Sequence, residues 1–449
     1  MNRLLELAPS AIRDAAVTAG STRLQIARRG GEYGAWRRRY REWHALTYAK
    51  LVELQKNRLQ QFLQYAADES PFYQARLKGL PELALKHIPI LEKSDLQSKI
   101  DQIVVGRRSK LVPCFTGGTT GSGITVYNRK EDIQERFAIL DSFWEMHGFR
   151  FGSERIAWFS GRKVVWDRDV QTGCFWRNNW LYKVRHYSTF HMSQDRLGAY
   201  VQDLCSFRPR FISGFPSAIS ELARFIELEG ARLPFTPAAI FVTSETLTAD
   251  QREVIERVFG CKVRDQYCAS EGAPFIVECS SGRLHLDMAT GVAEVVDDRG
   301  NETDEGEMLV TAFFTRGTPI IRYRIGDSIK LAAGRGCPCG WDTPLVERIL
   351  GRTTDYVEVP GRGKLFCSQI GDCVKGASSV LKFQVEMSGG VLQVYLVADP
   401  RTFEAKDKPT FLHKVHERIG DVPVAIHYVD DIPRARSGKH TVVRKPSSL

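Results

Sequence analysis

Residues 211–259, FISGFPSAISELARFIELEGARLPFTPAAIFVTSETLTADQREVIERVF, hold two short apolar runs, Phe211 to Ser213 and Ala239 to Val242. Each is followed by a helical pattern, Ser217 to Glu229 and Thr248 to Phe259. Runs this short, bounded by turn residues and alternating with longer amphipathic stretches, read as strands and helices of an α/β architecture with a largely parallel sheet. Upstream, Arg155 to Phe159 reads as a further strand. Residues 36–80 read as helix, with Leu51, Leu54, Leu59, Phe62 and Leu63 at helical spacing and few Gly or Pro. Downstream, Ala293 to Val296 and Gly306 to Phe314 read as strands of a β-rich segment that closes near Gly351. The last hundred residues repeat a strand and helix pattern: Tyr356 to Val359, Phe383 to Met387, Val391 to Val397, a helix near Pro409 to Ile419, then Val424 to Tyr428. The expected division is a helical lobe at 1–110, a core at 111–350 and a small α+β domain at 351–449, hinged at Gly351-Arg352.

The chain's 449 residues are enough for about two or three packed units. With 43% hydrophobic and 26% charged residues, its composition is that of a globular protein, which excludes a disordered or fibrous chain. The net charge is +10, and residues 1–60 hold twelve basic against five acidic side chains. Within them Trp36-Arg37-Arg38-Arg39-Tyr40-Arg41 has the mixture of a nucleic-acid or anionic-membrane contact, which would show as salt-sensitive binding to any duplex. A solvated helix face is the preferred reading, because no nucleic-acid module accompanies it. No window approaches eighteen apolar residues, and Glu6, Arg13 and Asp14 interrupt the N-terminus, so neither a membrane span nor a secretion signal is expected. Ten irregularly spaced cysteines fit the reduced thiols of a cytoplasmic protein.

Five segments carry chemistry. Phe115 to Val126, FTGGTTGSGITV, puts four glycines and five hydroxyls in one loop, where successive N–H groups can face phosphate oxygens; an ordinary flexible turn has the same composition. It lacks the lysine of a Walker loop. Tyr267-Cys268-Ala269-Ser270-Glu271 offers an aromatic face and a carboxylate, to stack on a base and to hold Mg²⁺, with a core tyrosine and a surface glutamate as the bland reading. Asp327, after Gly326, is placed to accept ribose hydroxyls or is a turn aspartate. The last two are Gly351-Arg352-Thr353-Thr354-Asp355 and Pro433-Arg434-Ala435-Arg436-Ser437-Gly438-Lys439. A lysine on such a loop matters only if the tail folds over a site.

In this order and at these intervals the five segments resemble the adenylate-forming acyl-CoA synthetases, most closely the phenylacetate-CoA ligase branch with its capsular-polysaccharide relatives. Ser70-Pro-Phe-Tyr73 and Ile88-Pro-Ile-Leu-Glu-Lys93 resemble that branch's N-terminal signature. The resemblance covers roughly residues 45 to 449 and implies a large N-terminal domain with a small mobile C-terminal α+β domain. It also implies ATP-dependent activation of a carboxylic acid as acyl-adenylate, with coenzyme A as first-choice acceptor. By the same resemblance Thr116, Gly117, Gly118, Thr119, Thr120 and Gly121 cradle the ATP phosphates, and Ser244 and Glu245 line the adenine pocket. Tyr267 is the adenine-side aromatic with Ser270 beside it, Glu271 the Mg²⁺ ligand and Asp327 the ribose acceptor. Arg352 touches the nucleotide, and Lys439 bridges carboxylate and α-phosphate. Phe137, Phe143, Trp144, Phe215 and Ala269 fall in segments that resemble acid-pocket walls, so an aromatic or apolar acid is expected.

The chain departs from the branch pattern twice. Thr354 stands where the hinge has its first aspartate, leaving Asp355 alone, and Gly123 stands where the phosphate loop has proline. The first departure keeps open transfer to a carrier-protein thiol or an amine; a non-catalytic binding subunit is a further alternative. Cys279, His285, Cys337 and Cys339 offer three thiolates and one imidazole, a set suited to tetrahedral structural zinc, and some members of the branch carry zinc at a similar pattern. Cys114, Cys268 and Cys367 read as packed thiols, and His186 and His191 as structural histidines.

Overall fold

The structure is a computed structural model that describes residues 3–80, 84–115 and 123–444. These residues form two compact units. The first is built from 3–21, 149–265 and 350–444, the second from 22–148 and 266–349.

In the first unit, Ile156–Ser160 pairs in parallel with Val184–Ser188 on one side and with Phe211–Gly214 on the other. Phe211–Gly214 pairs in parallel with Ala239–Val242, which pairs in parallel with residues 263–265. Trp176–Asn179 closes the far edge antiparallel. Helices Pro216–Leu228 and Ala249–Phe259 fall where the helical patterns place them. The first opens on Pro216, whose missing N–H is no loss at a helix start; the second opens on Thr248, whose hydroxyl accepts from the Gln251 N–H at 3.2 Å. Phe211–Gly214 and Ala239–Val242 are buried at every position, which is why they read as continuous apolar runs rather than alternating ones. Phe159, Ile212, Leu222, Ile240 and Val254 fill the core between sheet and helices.

The same unit carries the C-terminal module. Val380–Ser388 turns at Gly389 and Gly390, both with φ above zero as a tight hairpin requires, into Val391–Ala398. Helix Lys408–Ile419 then returns the chain to Val424–Tyr428, parallel to Val391–Ala398. Val394, Leu396, Phe411 and Val415 pack between them.

The second unit is antiparallel in its sheet. Gly291–Val296, Glu305–Ala312 and Tyr323–Leu331 form consecutive ladders, and Ile276–Glu278 pairs with Leu284–Leu286. Helix Tyr48–Glu69 lays Phe62, Leu63 and Ala66 into a core with Ile320, Tyr323 and Ile329. The arginine-rich run forms helix Tyr33–Trp43 against helix Lys130–Met146. Trp36 and Tyr40 are buried, and Arg37 pairs with Glu145. Asp141 receives both Arg29, at 2.7 and 2.8 Å, and the Tyr33 hydroxyl at 2.7 Å. Part of the positive charge is thus matched within the fold, and Arg39 lies over the Trp36 ring at 4.7 Å. All ten cysteines are free thiols. Among the described residues no helix is long and apolar enough to cross a membrane.

Candidate active site and candidate metal centre

The candidate nucleotide residues divide between the units. In the first, the loop after Ala239–Val242 carries Ser244 at φ +72, a left-handed conformation that non-glycine residues rarely hold. Glu245 follows, and its carboxylate accepts two backbone N–H bonds: Oε2 from Ser217 in the first turn of helix Pro216–Leu228 at 3.1 Å, and Oε1 from His440 at 2.8 Å. A carboxylate at a helix N-terminus also meets the favourable end of the helix dipole. Phe215, which directly precedes this helix, is buried in the core.

Lys439 is half-buried on the segment that Glu245 holds. Its carbonyl accepts from the Ala435 N–H at 2.9 Å, and Ala435 accepts from the Gly438 N–H at 2.8 Å, so residues 435–439 form a closed turn. On one side the Thr189 hydroxyl donates to the Gly438 carbonyl at 3.2 Å. Backbone meets backbone here: a Cβ on Gly161 would stand 1.8 Å from the Ser437 carbonyl oxygen. Beyond the turn, residues 441–444 are clamped to Val380–Ser388 through Val385, which donates to Val442 at 2.8 Å and accepts from Arg444 at 2.7 Å. Below it, buried Glu221 pairs with Lys382 at 2.9 Å and with Arg434 at 2.6 Å.

Arg352 ends strand Leu345–Arg352 after Gly351, whose φ is +97 and whose Cβ, if present, would meet the Thr246 hydroxyl at 2.8 Å. Thr354 and Asp355 lie in the turn that follows, where Asp355 donates its N–H to Arg352 at 3.1 Å. Cys367 donates its N–H to Asp355 at 3.0 Å. Burial pushes its thiol up to about 12, with Asp355 and Glu245 adding to the effect. Ser244, Glu245, Asp355 and the Lys439 turn are thus gathered around one loop.

In the second unit the Tyr267 hydroxyl donates to Asp327 at 2.8 Å, so the aromatic and ribose-acceptor candidates form a pair. Glu271 is buried close to Tyr267 in the chain. Ala269 and Ser270 present their carbonyls to Arg136, a residue that the sequence reading passed over; the Ser270 bond is 3.1 Å. The Cys114 thiol contacts the Ser270 carbonyl at 3.8 Å. Burial raises this thiol above its ordinary value, Arg136 opposes that, and Glu271 adds to it. The candidate phosphate-loop residues Thr116, Gly117, Gly118, Thr119, Thr120 and Gly121 lie outside the described residues.

Of the acid-pocket candidates on helix Lys130–Met146, Phe137 lies under the Arg28 guanidinium at 4.4 Å and the Arg29 guanidinium at 5.3 Å. Phe143 is enclosed in the core, edge-on to His147 at 5.2 Å. The two are six residues apart, about 240° around a helix, so they face different neighbours. Trp144 is buried with its indole N–H on Gln266 at 3.0 Å. In the first unit His186 is buried, and that burial, with Arg162 nearby, pulls its pKa down to about 3. His191 is tied to Ser188 at 2.8 Å.

Also in the second unit, the ligand atoms of Cys279, His285, Cys337 and Cys339 all lie within 4.8 Å of one another. Cys279 and Cys337 sulfurs are 3.6 Å apart, and Cys339 Sγ is 3.5 Å from His285 Nε2. A tetrahedral zinc with Zn–S of about 2.3 Å and Zn–N of about 2.0 Å sets such edges at roughly 3.8 and 3.5 Å. His285 Nδ1 meets the Thr343 hydroxyl at 2.9 Å, leaving Nε2 toward the thiols, since a partner on one ring nitrogen fixes the ring with the other nitrogen free to ligate. The ring stacks on Trp341 at 4.8 Å, and burial with Arg283 nearby lowers its pKa to about 4, so the imidazole is neutral. The Trp341 backbone N–H donates to Cys339 Sγ at 3.4 Å. The donor set, its spacing and its outer partners fit zinc.

Comparison with known proteins follows the same lines. Residues 358–445 match the family described as the CapK C-terminal domain. Over 320 residues the chain is 35% identical to protein CapK of Staphylococcus aureus, covering 70% of each chain. Over 343 residues it is 26% identical to phenylacetate-coenzyme A ligase of Thermus thermophilus, covering 71% of this chain and 74% of that one. Among solved structures its fold is similar to 2-hydroxyisobutyryl-CoA ligase in the postadenylation state, with a TM-score of 0.70, 19% identity, and coverage of 90% of this chain and 91% of that one.

Proposed function

The chain belongs to the CapK family, in the phenylacetate-CoA ligase-like branch of the adenylate-forming ligases, and we propose that it converts a carboxylic acid to an acyl-adenylate and then to a thioester. A carboxylate oxygen attacks the α-phosphorus of ATP, the bond to the β-phosphate oxygen breaks, and pyrophosphate leaves. In the second step a thiol sulfur attacks the acyl carbonyl, AMP leaves and the thiol proton passes to solvent.

The observation that carries this reading is the seat of the Lys439 turn on Glu245, Thr189 and the Gly161 backbone. Attack of one anion on another needs charge compensation and alignment, and a lysine held by a closed turn supplies both. Tyr267 and Asp327 serve adenine and ribose, Ser244 and Glu245 the adenine pocket, Arg352 a further nucleotide contact, and Glu271 the Mg²⁺ that accompanies ATP. Residues 116–121 serve the phosphates. The C-terminal module from 351 acts as the lid, pivoting at Arg352 to Asp355 between the two steps. Zinc, held by Cys279, His285, Cys337 and Cys339, supplies rigidity and takes no part in the chemistry. The reaction is assigned to the cytoplasm, where ATP and coenzyme A are at hand.

Coenzyme A is the first-choice thiol. Thr354, in place of the hinge aspartate, favours as second reading an acceptor of another kind, a carrier-protein thiol or an amine. The test is acid-dependent pyrophosphate release from ATP and Mg²⁺ across aryl, fatty and amino acids, with hydroxylamine as trap and then with coenzyme A. Turnover with both establishes the CoA ligase, and turnover with hydroxylamine alone moves the acceptor to a carrier protein or amine. Silence with every acid, together with no thermal stabilisation by ATP, overturns adenylation and favours a binding subunit.

A further inference from the structure

Arg136 is a cation on the segment 268–270, which the proposed function reads as part of the acid pocket, and it has no carboxylate partner among the described residues. Its guanidinium donates to the main-chain oxygens of Ala269 and Ser270 and contacts Cys268 Sγ at 3.7 Å. Two carbonyls satisfy N–H groups but leave the charge uncompensated. By contrast its neighbours are matched: Glu135 with Arg58 and Arg316, Asp132 with Arg316, Asp141 with Arg29.

The side chain is half-buried on helix Lys130–Met146, seven residues before Phe143 and so on nearly the same helical face. Phe137, the ring that an apolar pocket would need beside it, is committed instead to Arg28 and Arg29. Phe143 is sealed in the core. The wall next to Ala269 therefore carries a guanidinium where the sequence leads one to expect an aromatic face.

We propose that Arg136 determines acid specificity, by pairing with a second anionic group on the substrate, so that the preferred substrates are dicarboxylic acids rather than apolar monocarboxylic ones. This inference rests on the acid-activating reading of the site. A guanidinium fork matches a carboxylate in two parallel hydrogen bonds, and a pocket built for that pair disfavours an analogue lacking the charge.

The test uses the full chain and matched acids: glutarate against pentanoate, and 3-carboxyphenylacetate against phenylacetate. The readout is the ratio of kcat/KM for the charged over the uncharged member of each pair, from pyrophosphate release with hydroxylamine. The wild-type ratio is expected above one, and Arg136→Gln is expected to lower it by at least about tenfold through KM for the charged acid. Arg136→Lys retains part of the preference and stands in should the glutamine variant melt early. A ratio of one or below in wild type, or a ratio unchanged in both variants, overturns the proposal. A rise in KM for ATP with the ratio unchanged also overturns it, and assigns Arg136 to the phosphates. Calorimetric titration of glutarate into wild type and Arg136→Gln separates this inference from the reading beneath it. Arg136-dependent binding without turnover overturns adenylation and keeps only the contact of Arg136 with the second carboxylate, whereas neither binding nor turnover overturns both.

Discussion

The Glu245 carboxylate and the His440 backbone N–H, 195 residues apart in sequence, are joined at 2.8 Å, and the other oxygen of the same carboxylate caps the helix that begins at Pro216. A residue in the candidate adenine-pocket loop thus fixes the main chain next to Lys439. The lysine's position is set by a hydrogen bond to its neighbour and by the turn 435–439, rather than by the reach of a mobile side chain.

Glu245→Ala should therefore damage adenylation without touching the lysine. Losing a hydrogen bond to a charged acceptor costs about 1.5–3 kcal/mol, which here means a fall of roughly 10- to 100-fold in acid-dependent pyrophosphate exchange. The helix start loses its cap as well, about 1 kcal/mol in stability. Lys439→Ala should lower exchange by on the order of 10² to 10³ while leaving the melting temperature unchanged. Exchange by Glu245→Ala within twofold of wild type would falsify the positioning role.

Freshly purified protein should contain about one equivalent of zinc by elemental analysis. Thr343→Val removes the hydroxyl that meets His285 Nδ1 in a fully buried setting, and should weaken zinc binding by about 10- to 100-fold in a chelator competition. Cys337→Ser should lose the metal and lower the melting temperature. Less than about a tenth of an equivalent in the wild-type protein removes the case for a structural site.

The elements of the fold were legible because their apolar patterns are set by local burial. Strands at 211–214 and 239–242 lie where the apolar runs place them, since a strand covered on both faces must be apolar throughout, and those at 356–359 and 424–428 keep apolar residues around one exposed polar position each, Glu358 and His427. Side-chain direction was less legible. Phe137 and Phe143 sit in one apolar helix segment, and only the helix rotation sends one to Arg28 and the other into the core. Glu221 reads as a polar position of an amphipathic helix, yet it is buried between Lys382 and Arg434, which arrive from far along the chain. The same holds for Arg136, whose partners are backbone atoms that carry no sequence signal. The Cys/His set was legible from its donor types, three thiolates and one imidazole, and the resemblance strengthened it, because no spacing rule joins residues 279 and 285 to 337 and 339.

Stability should fall with acid between about pH 6.5 and 4 by way of two histidines, His186 buried and His440 half-buried. His440 is held down at about 4 by burial, with the Arg434 and Lys382 cations adding to this and Asp431 and the Phe383 carbonyl opposing it; His186 is held at about 3. A folded-state value below the unfolded 6.5 means that, as pH drops through 6.5, the unfolded chain takes up protons the folded one refuses. The loss at His440 levels off near pH 4, where the folded protein also protonates. The melting temperature should drop on the order of 5 °C more between pH 7 and 4.5 in wild type than in His440→Gln, whose amide can still donate to the Phe383 carbonyl. Parallel curves for the two proteins would show that His440 carries none of this dependence.

Gly161 offers the sharpest separation of the two proposed half-reactions. A Cβ there would overlap the Ser437 carbonyl oxygen at 1.8 Å, and one on Gly438, at φ +80, would stand 2.7 Å from the Gly161 Cα. Neither neighbour is a flexible side chain that can move aside, so Gly161→Ala should unseat the turn carrying Lys439 while leaving the lysine itself intact. Acid-dependent pyrophosphate exchange should fall by more than about 100-fold, in line with loss of a preorganised charge. Thioester formation from a supplied acyl-adenylate and coenzyme A does not need Lys439 in the proposed sequence, and should stay within about threefold of wild type. Equal loss of both half-reactions would mean that Gly161→Ala disturbs the fold rather than the seat. Full retention of exchange would mean that the lysine works from a position other than the one observed.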